Sequence, residues 1–236
     1  MKIMDGQLVA FMGDSITQHL VAVSDSMETQ THGLPPAGTE VLVDRHEHRG
    51  WTAILQNRIH LAYPERRIRY INAGIGGNSS RQMSARFETD ILAQQPEWLL
   101  LSAGVVEVRR TYQPDRESEI VPLKEYIFNL KTMTSQALEA GVQVILLEPT
   151  PHARPVTGGP PDITLENVNT LTRQYTMAMR HVAQEMQVGF VSLFDMFLEI
   201  EQRLAGAASL FADEVHLNAR GGLLYSQLVY QYLDGH

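Results

Sequence analysis

Short apolar runs alternate with longer stretches of helical spacing, and that alternation constrains the fold of this chain more than any other feature. Four runs stop abruptly: Leu8–Met12 before Gly13, Ile68–Ile71 before Asn72, Trp98–Leu101 before Ser102, and Val144–Leu147 before Glu148. Runs this short and this continuously apolar read as parallel strands buried on both faces. Helical spacing is found over Trp51–Leu61, Ser80–Gln94, Leu123–Ala140 and Val168–Met186, with Gly141 as the C-cap of the third. A fifth strand is expected at Gly189–Ser192 and a last helix from about Ala219 to Leu233. Strand and helix in turn predict an α/β, doubly wound sheet.

At 236 residues and 44% hydrophobic composition, the chain can bury a substantial core and is expected to form one domain over residues 1–236. Two stretches break the pattern. Val21–Arg49 is polar with Gly33, Pro35, Pro36 and Gly38 in its middle, and Pro149–Asp162 is rich in proline and glycine. Both read as long loops. The second leaves the carboxyl end of the fourth strand, where open α/β sheets form their binding crevice.

A formal charge of −8 disfavours nucleic acid and anionic membranes, since neither is drawn to an acidic surface. The absence of cysteine excludes disulfides, thiolate metal sites and a thiol nucleophile. Met1-Lys2-Ile3-Met4-Asp5-Gly6 sets an acid and a glycine where a signal peptide needs an apolar stretch, so a cytoplasmic protein is expected. No run approaches the ~18 apolar residues of a membrane span.

Three blocks carry candidate chemistry. Phe11-Met12-Gly13-Asp14-Ser15-Ile16-Thr17 sets Ser15 just past a strand and at a helix start, where free backbone N–H groups can hold an oxyanion. Asp and Ser are also ordinary helix caps. In Asp213-Glu214-Val215-His216 the spacing lets a carboxylate accept a hydrogen bond from the histidine's Nδ1–H, fixing the tautomer that presents Nε2 to a serine, although a capping loop with a surface histidine has the same look. Asn72-Ala73-Gly74-Ile75-Gly76-Gly77-Asn78-Ser79 lets backbone approach a ligand closely, or simply turns. Ser79 stands where G-x-G-x-x-G requires its last glycine, which, with no Walker lysine, removes the nucleotide-binding reading.

Taken together, in this order and at strand ends, the three blocks resemble those of the SGNH hydrolases, the GDSL-like lipases and esterases. The resemblance runs from Gly13 to His216. It implies a flavodoxin-like three-layer α/β/α sandwich with a five-stranded parallel sheet. It also implies Ser15 as nucleophile, Asp213 and His216 as its triad partners, the Ser15 and Gly77 N–H groups in the oxyanion hole, and no cofactor. The absence of G-x-S-x-G argues against the larger α/β-hydrolase fold.

One block departs from the family. Where Gly-x-Asn-Asp is usual, this chain reads Gly104-Val105-Val106-Glu107, so Val106 replaces the oxyanion-binding asparagine. Losing one such donor costs on the order of 10²–10³ in kcat. Glu107 cannot serve as an ionised group, because a carboxylate repels an oxyanion, whereas Asn78 has an amide to offer. Asp14, His152 and Arg154 are the candidates for contact with substrate. His46-Glu47-His48 lacks the spacing and partners of a metal site, and none is expected. The methionines and tyrosines of Tyr175–Met186 read as packing.

The expected activity is ester hydrolysis by acyl transfer to Ser15, and Gly104–Arg110 with Leu147-Glu148-Pro149 looks most like bacterial members that deacetylate carbohydrates. A small-molecule or carbohydrate ester is the expected partner. The alternatives are a lysophospholipase or thioesterase, and a binding protein that kept the fold and lost turnover, for which Val106 is the main support.

Overall fold

The computed structural model describes residues 1–18, 50–204 and 209–235. Its sheet is five-stranded and wholly parallel, in the order β2-β1-β3-β4-β5, from β1 (Leu8–Gly13), β2 (Arg69–Gly74), β3 (Trp98–Ser102), β4 (Gln143–Leu147) and β5 (Gly189–Val191). The expected strands are all present. Side chains alternate across it with the period of two that strands impose. Ala10, Met12, Leu99, Leu101, Val144 and Leu146 face one core, while Val9, Phe11, Leu100, Ile145 and Leu147 face the other.

Helices cover both faces, as the α/β/α expectation requires. The first core is closed by α3 (Ser80–Ala85), α4 (Phe87–Asp90), α6 (Leu123–Glu139) and α7 (Leu165–Glu185). The second is closed by α2 (Trp51–Ala62), α8 (Phe194–Arg203) and α9 (Ala219–Asp234). Trp51 is the hinge of that second core, stacked on Tyr225 at 4.5 Å and meeting Phe11 edge-on at 5.4 Å. Caps fix the ends of the longer helices: Thr164 accepts the Asn167 N–H ahead of α7, and Asn218 accepts the Arg220 and Gly221 N–H groups ahead of α9.

Three features differ from the sequence expectation. The single helix expected over Ser80–Gln94 is broken at Arg86 into α3, α4 and a 3₁₀ turn at Leu92–Gln94. Met83, Phe87 and Ile91 are all buried across the break, and the Arg86 guanidinium is held between Asn78 and Asp90. Helix α5 (Val105–Thr111) forms over the β-branched Val105, Val106 and Val108, where the sequence reading places no helix. Gly104 turns the chain there at φ +124°, a conformation that favours glycine, and the Glu107 carboxylate accepts its N–H at 3.0 Å. Helix α8 was equally unforeseen. Its first amides, Leu193 and Phe194, donate to Glu148 at 2.7 and 2.9 Å across the sheet from the end of β4.

The strand order reverses between β1 and β3, which lie side by side and parallel with connections leaving on opposite faces. Such a switch point opens a crevice at the strands' carboxyl ends, and Ser15 follows β1 there. Val21–Arg49 and His46-Glu47-His48 lie outside the described residues.

Candidate active site

At the end of β1 the chain folds back on itself within four residues. A Cβ on Gly13 would stand 2.2 Å from Thr17 Oγ1, so only a glycine admits this turn. Asp14 Oδ1 accepts the Ile16 N–H at 2.9 Å and starts helix α1 (Ser15–Gln18) with Ser15 as its first residue. As in any first helical turn, the Ser15 N–H has no intrahelical acceptor. The glycine-rich loop after β2 packs directly on this turn: a Cβ on Gly74 would lie 2.3 Å from the Gln18 backbone nitrogen. Ile75 donates to the Gly13 carbonyl at 3.0 Å and Gly76 to Gln18 Oε1 at 2.6 Å. Gly77 follows at φ +75°, and its N–H meets no acceptor among the described residues.

The last block comes from the opposite end of the chain. A narrow antiparallel bridge between Phe211 and Leu217 closes a loop whose Asp213 Oδ1 accepts the N–H groups of Val215 at 2.9 Å and His216 at 2.8 Å. Asp213 Oδ2 is 2.6 Å from His216 Nδ1, and His216 Nε2 is 2.8 Å from Ser15 Oγ. Burial opposes ionisation of Asp213, but the hydrogen bonds from the His216 ring and from the two amides outweigh it and hold the carboxyl well below the usual carboxylate range. With Asp213 ionised, Nδ1 keeps its proton and Nε2 is left to accept from the serine hydroxyl. Such a chain of acceptors can draw the proton from Oγ as it attacks a carbonyl.

The remaining candidates divide. Val106, 5% exposed, belongs to α5 and to neither core cluster, and offers no side-chain donor. Asn78 gives its Oδ1 to Arg86 at 2.8 Å, which leaves the amide NH₂ as its available end. Glu107 is fully buried and occupied, accepting the Ser80 N–H at 2.5 Å and the Gly104 N–H at 3.0 Å, and burial raises its pKa. It braces the turn into α5.

Two of the proposed substrate contacts are not presented to solvent. Asp14 is 1% exposed and is used as the cap of α1, its carboxyl pushed up to about 6 mainly by burial. His152, expected in an exposed loop, is 2% exposed because Asn169 clamps its backbone from both sides, accepting its N–H at 2.8 Å and donating to its carbonyl at 3.0 Å. Its Nδ1 lies 3.3 Å from Thr172 Oγ1. Arg154 is exposed, with no partner among the described residues. Those residues hold no group of three or more His, Cys, Asp or Glu that could bind a metal ion, and no helix long and apolar enough to cross a membrane.

Burial, helped by the charge of Arg109, depresses the His152 pKa to about 3. Between that value and the ordinary histidine range near 6.5 the unfolded chain binds a proton that the folded chain does not. Stability is therefore lost as pH falls through this window. Wild type is expected to lose on the order of 2 kcal/mol from this group between about pH 6.5 and pH 5. His152→Gln should show a correspondingly flatter acid limb in urea denaturation at the two pH values, and parallel limbs would refute the assignment.

Known proteins resemble this chain over nearly its whole length. The family model described as GDSL-like Lipase/Acylhydrolase matches residues 11–222. An acetylxylan esterase of Geobacillus stearothermophilus is 28% identical over 228 residues, which cover 96% of this chain and 94% of that one. A crystal structure of an acetylxylan esterase from the same organism aligns with a TM-score of 0.75 at 26% identity, over 99% of this chain and 96% of that chain. Solved catalytic mutants of that enzyme replace a serine, a histidine and an aspartate. An alpha/beta hydrolase enzyme from the metagenome of Lake Arreo, Spain, aligns with a TM-score of 0.74 at 22% identity, over 99% of this chain and 98% of that one, a likeness of fold alone. With the family match reaching from β1 to the start of α9, this chain belongs to the GDSL-like lipase/acylhydrolase family and is a carboxylic ester hydrolase.

Proposed function

We propose that the protein is a serine esterase that removes acetyl groups from a carbohydrate, with Ser15 as nucleophile, His216 as general base and Asp213 as its partner. The observation that carries this reading is the unbroken hydrogen-bond chain from Ser15 Oγ to His216 Nε2 at 2.8 Å and from His216 Nδ1 to Asp213 Oδ2 at 2.6 Å. In the first half-reaction Nε2 takes the hydroxyl proton while Oγ attacks the ester carbonyl carbon. The sugar oxygen then departs, taking that proton from His216, and leaves an acetyl-serine. Water attacks the acetyl-serine, giving its proton to Nε2, and release of acetate returns the proton to Oγ.

The N–H groups of Ser15 and Gly77 and the NH₂ of Asn78 meet no acceptor among the described residues; the two N–H groups are the oxyanion donors in this scheme, and the NH₂ is the side-chain group available where Val106 offers none. The acetyl and carbohydrate assignments draw their support from the acetylxylan esterases that resemble this chain over nearly its full length.

A panel of p-nitrophenyl acetate, p-nitrophenyl octanoate and acetylated xylooligosaccharide, run beside fluorophosphonate labelling, tests this reading. Acetate esters are expected to turn over much faster than octanoate, and the probe to modify Ser15. Faster octanoate cleavage would point to a lysophospholipase or thioesterase. No turnover and no labelling, where a control esterase reacts, would mean a binding protein.

A further inference from the structure

The loop that carries Asp213 and His216 also carries Glu214, which the chemistry above does not use. Glu214 is only 8% exposed. One carboxylate oxygen, Oε1, lies 2.5 Å from Nη2 of Arg109 in α5. The other, Oε2, accepts the Thr157 N–H at 2.7 Å. Its backbone carbonyl accepts the Ala153 N–H at 2.8 Å. One residue thus ties the loop before α9 to the helix after β3 and, at two points, to the Pro149–Asp162 loop after β4. Among the described residues Glu214 is the carboxylate paired with Arg109, whose Nε is buried without a hydrogen-bond partner.

A partly buried ion pair such as this contributes little net stability, because desolvation offsets most of its attraction, but it fixes geometry. Geometry is what this loop needs. His216 reaches Ser15 from a loop that the Phe211–Leu217 bridge and Asp213's own hydrogen bonds close on itself without joining it to the sheet, and a shift of about 1 Å in a reacting group costs on the order of 10² in rate.

We propose that Glu214 is a positioning residue, which holds His216 in reach of Ser15 by clamping the Asp213–His216 loop to α5 and to the loop after β4. This rests on the reading of Ser15, His216 and Asp213 as the reacting groups. Wild type and Ser15→Ala are therefore compared first: reaction at Ser15 that disappears in the variant secures that reading, and its absence would sink the reading and the clamp with it.

The clamp is then tested with Glu214→Ala and Glu214→Gln in the full chain. Three quantities are measured well below each variant's Tm: kcat and KM on p-nitrophenyl acetate, and the rate of fluorophosphonate labelling. Glu214→Ala is expected to lower kcat and the labelling rate together by roughly 10- to 100-fold, with KM within about 3-fold of wild type. Glu214→Gln keeps an acceptor for Thr157 and loses the charge facing Arg109, so it should fall between, roughly 3- to 10-fold below wild type. A folded Glu214→Ala protein that labels and turns over at wild-type rates, whatever its Tm, would reduce Glu214 to a structural residue and overturn the proposal. If Glu214→Ala does not fold, wild-type kcat and labelling in Glu214→Gln overturn it instead.

Discussion

Ser15→Ala is expected to lower kcat on acetate esters by about 10⁴- to 10⁶-fold while leaving the fold intact. Without Oγ no acyl-serine can form, and what survives is the rate that oxyanion donors and substrate binding give to direct attack by water. The structure explains why the loss should be confined to chemistry. Ser15 begins α1, but the cap of that turn is Asp14, and the first tight contact in it is between Gly13 and Thr17. Alanine at position 15 removes one hydroxyl from a side chain whose hydrogen bond is to a partly exposed imidazole, so water can replace it. Purified wild type and variant should therefore melt within a few degrees of each other and differ in steady-state hydrolysis of p-nitrophenyl acetate. A variant within about tenfold of wild type in kcat would exclude Ser15 as nucleophile.

Asp213→Asn is expected to cost about 10⁴-fold in kcat, the loss seen when the orienting carboxylate of such a triad becomes an amide. The reason is specific to this loop. Asp213 Oδ1 accepts two backbone N–H groups, from Val215 and His216. An asparagine must keep its carbonyl oxygen on those donors, which turns its NH₂ toward His216 Nδ1 in the place of Oδ2. The imidazole must then carry its proton on Nε2, and a protonated Nε2 cannot accept from Ser15. Because the loop keeps both backbone hydrogen bonds, the thermal melt should change little, and KM should stay near wild type since the defect lies in proton transfer. Measurement of kcat for the two proteins from pH 6 to pH 9 decides it. An Asp213→Asn enzyme within tenfold of wild type at every pH would remove Asp213 from the mechanism.

The two ends of the candidate site were visible in the sequence because each is a local pattern. A Gly-Asp-Ser just past an apolar run and an Asp-x-x-His just before a helix need only a few neighbouring residues to be recognised. The same holds for the strands, whose burial on both faces shows as unbroken apolar runs, and for α6 and α9, whose buried positions recur every three or four residues. The glycine block was legible as a turn that approaches something closely, although not as a turn packed on the backbone of Gln18.

What the sequence by itself determined, then, was the alternation that makes a parallel sheet, its flanking helices, and the residue types able to run acyl transfer. Tertiary structure alone decided the rest. Helix α8 starts at Phe194 because Glu148, at the end of a different strand, accepts its first amides. Helix α5 forms from β-branched residues because Glu107 holds the turn before it to Ser80. His152 is buried rather than exposed because Asn169 grips its backbone from α7, and Glu214 has a part to play because Arg109 comes to it from α5. Periodicity and caps are set by interactions within a turn or two of chain and are written where they act. The partner of a buried carboxylate or imidazole is chosen by which strands the sheet lays side by side, and no local stretch of sequence contains that choice.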